Sequence, residues 1–242
     1  MAIELPGPVV DFLQVIGVNW PNINEDSVRA VAGHVRDFAA NIDSTHQAAT
    51  QTVQAMNASY SGASYEQLVQ TWAKMSSSHM SDLVDGCKVV ATALDAAADA
   101  IVVAKGVAIA ELVALAASFI ADQAAAVLTF GIAEAAEALV IEAAKTCVNA
   151  LEQQLEQMVI GEVLQAAMTP LEGIVEKAVS GLVYQGLEDA TAGAAAGSSV
   201  GASFMVEREG LLAHAQTFQS HADAVVQHAQ ALKSNLASVS FE

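Results

Sequence analysis

The sequence predicts an all-α protein. The fold class is an elongated helical bundle built on a long antiparallel helical hairpin, with an Ala-rich apolar helical middle and a C-terminal helix packing back. Three observations predict it. Apolar residues recur at three- and four-residue spacing through most of the 242 residues. Only four prolines interrupt a chain dominated by strong helix formers. The composition is 54% hydrophobic and 15% charged, which marks an interior-rich helical protein and excludes a disordered one.

Residues 1–24 read as an N-terminal arm. Leu5-Pro6-Gly7-Pro8 opens it, a short helix fits between Pro8 and Gly17, and Pro21 with the neighbouring Asn residues stops that helix. Asn24-Glu25-Asp26-Ser27 is a helix start, with a capping side chain and acidic groups at the positive dipole end. From there a heptad runs to Asn57. Val28, Val35, Ile42, Ala49 and Met56 hold one core position, and Val31, Phe38, Thr45 and Thr52 the other. The threonines weaken the second half of this seam.

Tyr60-Ser61-Gly62 breaks the pattern, and Ser64 with Gln67 three residues on reads as a capping box for a second helix. Leu68, Trp72, Met75, His79, Leu83, Cys87, Val90, Leu94, Ala97 and Ile101 give that helix its stripe, to about Lys105. A short turn makes the two helices antiparallel neighbours, so residues 25–105 form a helical hairpin.

Residues 106–190 form an apolar helical extension. Glu111 and Asp122 enclose ten uncharged residues, and Asp122 and Glu134 eleven, against the ~20 a membrane-spanning helix needs. Buried helices are expected, with Gly131 separating or bending them and Thr169-Pro170 starting a fresh one. Residues 191–206 are a small-residue segment in which Gly193, Gly197 and Gly201 fall at four-residue spacing. They fit a flexible linker or a helix with a small face equally well. Residues 207–242 are a coiled-coil-like helix. Leu211, Phe218, Val225, Leu232 and Val239 repeat at seven, and Ala215, Ala222, Ala229 and Leu236 line the adjacent row.

Charge excludes several functions. The net charge is −18, with nine Lys plus Arg. No basic footprint exists for nucleic acid, and docking on an anionic membrane is disfavoured. Cys87 and Cys147 read as buried free thiols, with a single disulfide between them as the alternative, and no zinc cluster accompanies them. His214, His221 and His228 share one helix face but lie ~10.5 Å apart along it, too far for one metal. They flank the seam, and charging them together near pH 6 would loosen it. No nucleophile elbow, phosphate loop or metalloprotease motif appears, so no catalytic residue, metal or cofactor is expected. The N-terminal residues lack the basic and apolar regions of a cleaved leader. The chain is therefore expected either in the cytoplasm or exported by a route that needs no cleaved leader.

Two long antiparallel helices joined by an aromatic-any-Gly turn, here Tyr60-Ser61-Gly62 with Tyr in place of the usual Trp, resemble the WXG family of type VII (ESX) secretion substrates. Leu5-Pro6, Ile16-Gly17, Trp20-Pro21 and Asn24-Glu25-Asp26 before a heptad helix resemble the WXG-like N-terminal domains of actinobacterial polymorphic toxins, the channel-type NAD-glycohydrolase toxin among them. The resemblance covers most of residues 5–190. It implies a non-enzymatic secretion substrate or toxin-delivery domain. The implied partners are a helical WXG-like protein or a second copy of the chain, and the type VII machinery. It also implies a Tyr-x-x-x-Asp/Glu export signal, matched by Tyr184 and Glu188. The toxin families carry a C-terminal effector, whereas this chain ends in a helix. The packing interface expected on this reading is Val28, Val31, Val35, Phe38, Ile42, Trp72, Leu211, Phe218, Val225 and Leu232. The alternatives are a membrane-inserting protein through residues 101–140 and a cytoplasmic structural or chaperone-like bundle.

Overall fold

A computed structural model describes residues 3–21, 23–129, 133–157 and 205–240, excepting the side chains of residues 78–79, 122–129 and 133–136. The protein is an all-α helical bundle, as expected. Its elements are α1 (Gly7–Ile16), α2 (Glu25–Ala55), a 3₁₀ turn (Met56–Ala58), β1 (Tyr60–Ser61), α3 (Ala63–Met75), a π-helical turn (Ser76–Met80), α4 (Ser81–Thr129), α5 (Ala133–Gln157), β2 (Met205–Val206) and α6 (Arg208–Ser238). Tyr184, Glu188, the three spaced glycines, the Thr169-Pro170 start and Gly131 lie outside the described residues.

The chain divides into two compact units, and α2 and α4 contribute to both. The first holds residues 1–30, 93–166 and 239–242. In it, α1 ends at Gly17, whose φ of 67° and ψ of 35° are left-handed. The Val18 N–H returns to the Leu13 carbonyl at 3.0 Å. That glycine stop ends the helix four residues before Pro21, where the sequence places the break.

Phe12 and Leu13 of α1, Ile101, Leu112 and Phe119 of α4, and Val148, Leu151 and Leu155 of α5 build the core of this unit. The Phe12 and Phe119 rings meet at 5.2 Å. Alanines 104, 108, 116 and 144 sit among them and let the helix backbones approach. Helix α4 passes Lys105 without a break and runs on to Thr129, and Lys105 is buried within it. Its ammonium lies 2.7 Å from Glu25 Oε2, with the two side chains 4% and 0% exposed. The ammonium also donates to the Ile23 carbonyl, and Glu25 Oε1 accepts the Ile3 N–H. Burial raises the Glu25 pKa, but the hydrogen bonds from Lys105 and Ile3 outweigh it and hold it below the usual carboxylate range. Asn24 caps α2 through Oδ1, which accepts from the Asp26 and Ser27 N–H groups at 3.0 and 3.2 Å.

The second unit holds residues 31–92 and 167–238. In it α3 runs back along α2: Tyr65 bonds the Val53 carbonyl, Trp72 bonds Thr50, and His46 bonds Ser76. Ile42, Ala49, Val53 and Met56 of α2 are buried. Helix α3 starts on Gly62, with no side-chain cap, in place of the expected Ser64/Gln67 box.

The π-helical turn changes the second stripe. Its i→i+5 geometry shifts the helical phase just after it. Leu83, expected on the seam, is 42% exposed, whereas Ala97 and Ile101 further along the same stripe are buried as expected. Gly86 and Ala91 take the inward positions that Cys87 and Val90 were expected to hold.

Candidate helix-docking site

The hairpin tip is more than a turn. Gly62 has φ 127°, a conformation that Tyr or Ser would strain to adopt, and this explains why the third position of the turn is glycine. Tyr60 and Ser61 form a strand that pairs antiparallel with Val206 and Met205. The Glu207 N–H donates to the Ser59 carbonyl at 2.7 Å, and the Ser59 hydroxyl donates to Glu207 Oε2 at 3.1 Å. Tyr65 meets Tyr60 edge-on at 6.0 Å.

The tip thus clasps the chain that leads into α6. Gly210, in the first turn of α6, lies so close that an added Cβ would sit 2.1 Å from Ser59 Oγ and 2.8 Å from Ser59 Cβ. Glycine is required there for close approach, not for its dihedral freedom.

Beyond the clasp, α6 runs antiparallel to α2. His221 Nε2 lies 3.2 Å from Thr52 Oγ1, and His228 Nε2 lies 3.0 Å from Thr45 Oγ1. Both rows step by seven residues, in opposite directions. Thr52 gives its single hydroxyl proton to the Ala48 carbonyl at 3.1 Å. Its oxygen can therefore only accept from His221, so that imidazole carries its proton on Nε2. Thr50 works in the same way, donating to the His46 carbonyl and accepting the Trp72 indole N–H at 2.9 Å.

An aromatic chain closes the layer. His46 stacks on Trp72 at 5.1 Å and 15°, Trp72 meets Phe218 edge-on at 5.7 Å, and Phe218 meets His221 edge-on at 6.3 Å. Burial pushes the His46 pKa below its usual value, and Asp43 only partly opposes this.

The residues picked from the sequence are distributed unevenly. Tyr60, Ser61, Val31, Val35, Phe38, Trp72, Leu211, Phe218 and Leu232 are half-buried in this unit, and Ile42 is buried. Val28 belongs to the core of the first unit. Val225 is 39% exposed, and Ala215, Ala222 and Ala229 face solvent. His221 and His228, of the row expected to flank the seam, share the docked face with Leu211 and Phe218, where they meet the Thr52 and Thr45 hydroxyls. Sequence reading missed His46, Ser59, Glu207 and Gly210. The matching seven-residue steps of the Thr and His rows were the signal that could have linked α2 to α6. Among the described residues, no three His, Cys, Asp or Glu side chains gather as a metal site requires.

The arrangement offers helix faces. Residues 4–147, more than half of the chain, match the WXG100 like domain. No curated protein and no solved structure matches the chain. A hairpin with an aromatic-any-Gly turn and a family match over most of its length make the chain a member of the WXG100-like family, helical proteins associated with type VII secretion.

Proposed function

We propose that this chain is a non-enzymatic substrate or delivery domain of a type VII (ESX) secretion system, acting through helix–helix contacts. The observation that carries the reading is the family match over residues 4–147. The Tyr60-Ser61-Gly62 turn supports it. On this reading Tyr184 and Glu188 are the export signal, and the chain leaves the cell without a cleaved leader. Its partners are the machinery and a helical WXG-like protein or a second copy. The resemblance to toxin N-terminal domains makes toxin delivery the specific role. The test is export from the native host. Tyr184→Ala and Glu188→Ala proteins should vanish from the medium while their intracellular amounts and helix content stay unchanged. Normal export of both would remove the signal.

One observation favours a second reading. Within α4, Ser81–Ala121 is long and apolar enough to cross a membrane, with a window of mean hydropathy 2.1 that is 33% buried. Against it, Lys105 and Glu111 fall in the same helix, and a charge at mid-bilayer costs at least ~2.5 kcal/mol. Dye release from neutral liposomes would support insertion, and intact liposomes would support a delivery role.

A further inference from the structure

In the second unit, α6 is a strap fastened firmly at one end. At the clasp, the chain before it pairs with Tyr60 and Ser61, Glu207 bonds Ser59 through backbone and side chain, and Gly210 lies against Ser59. Beyond the clasp the hold is lighter. Among the described residues it consists of His221 on Thr52, His228 on Thr45 and the edge of Phe218 on Trp72. None of the 31 residues of α6 is buried. The fit is also incomplete. An apolar groove of about 570 Å³ lies between the helices, walled by Leu68 and Trp72 of α3, by Leu211, Ala215 and Phe218 of α6, and by Met56.

The face beneath the strap makes a specific demand. Thr52 is 8% exposed and gives its proton to the Ala48 carbonyl, so its oxygen accepts and does not donate. An apolar helix laid over it would leave that oxygen covered and without a partner, which costs more than the hydrogen bond itself contributes. Thr45, one heptad earlier on the same seam, presents a second hydroxyl to His228. A helix that covers this face must therefore bring side-chain N–H donors seven residues apart.

We propose that α6 closes this face in cis and yields it to a helix of another protein that meets the same demand better. That helix carries His, Asn or Gln donors at the places of His221 and His228, and a large apolar side chain where α6 has only Ala215. Its donors satisfy the two threonines, and its larger side chain fills the groove that α6 leaves open. Release begins away from the clasp, where single contacts hold the helix, and the clasp keeps α6 tethered for its return. The two hydroxyls reject any helix whose stripe is apolar throughout, so the face selects its occupant as well as being shut. This rests on the helix-docking reading and adds the regulation of that site.

The test uses the purified full chain and a fluorescein-labelled peptide of residues 208–238 carrying Ala215→Leu. It reads binding without export, so either reading can fail alone. With the parent chain, the peptide competes against the tethered α6, and fluorescence anisotropy gives the reference Kd. A chain with His221→Ala and His228→Ala loses both rungs of its own strap and should bind the peptide at least ~10-fold more tightly. A peptide that also carries His221→Ala and His228→Ala should lose this gain. So should the strap-weakened chain when Thr45→Val and Thr52→Val are added to it. Amide protection of α4 should be unchanged in every variant, which keeps misfolding apart from release. Equal binding by the parent and strap-weakened chains would overturn the proposal, as would equal binding of the two peptides or a gain that survives loss of the threonines.

Discussion

The two units use similar helical periodicity for different ends. In the first, α4 and α5 bury their inward residues almost completely: Ile101, Leu112, Val148 and Leu155 are at most 2% exposed. A charge pair, Lys105 with Glu25, is embedded among them with its partners satisfied. In the second, neither α3 nor α6 buries a single residue, and α6 meets α2 through imidazole–hydroxyl bonds and α3 through an aromatic edge. The first stabilises by removing apolar surface from water. The second docks a helix whose polar contacts select a register and add little stability.

The sharpest way to break this comparison is to remove one charge from the first unit. Lys105→Ala leaves Glu25 buried and unpaired, and should cost about 3–5 kcal/mol in urea unfolding followed by circular dichroism. Pairing Lys105→Met with Glu25→Gln should recover most of it. A loss no larger than a surface substitution gives would mean that the first unit is not held by its interior.

A smaller effect is expected at the clasp. Gly210→Ala pushes a Cβ into Ser59, and overpacking of this kind costs about 1–3 kcal/mol. Amide exchange should show the loss confined to α6 and residues 59–62, with α5 unaffected. Equal loss of protection in α5 would show that the units are not energetically separate.

The smallest effect is with pH. Burial holds the folded pKa of His46 below its unfolded value, so the unfolded chain binds the extra proton first. The stability His46 supports is present above about pH 6.5 and declines as pH falls through that value toward the lowered folded pKa. His46→Gln should flatten this decline, read as amide protection of α3. A slope that is unchanged in the variant would assign it to other groups.

Much of the fold was legible in the sequence. Heptad spacing gave α2 and α6, Asn24 gave the start of α2, and the aromatic-any-Gly turn gave the hairpin. These are local signals, set by helical periodicity and by capping within one turn. The π-helical turn was not legible, because nothing in Ser76-Ser77-Ser78-His79-Met80 distinguishes an i→i+5 turn from a regular one, and so Leu83 was placed on the wrong face. The site was half legible. Trp72, Leu211 and Phe218 stood out as apolar seam residues. The His rows were read as flanking because hydropathy alone ranks a valine above a histidine.

By itself the sequence determined the helical class, the hairpin, the acidic character and the family. Backbone propensity, side-chain period and net charge are properties of short stretches or of the whole composition, and need no partner to be read. Tertiary structure decided which of two apolar rows on α6 faces inward, that Lys105 is buried, and that the turn clasps residues 205–207. Each of these depends on what a side chain meets across a long stretch of sequence. The threonines of α2 turned the α6 imidazoles inward, and Glu25 with the Ile23 carbonyl made a buried ammonium tolerable.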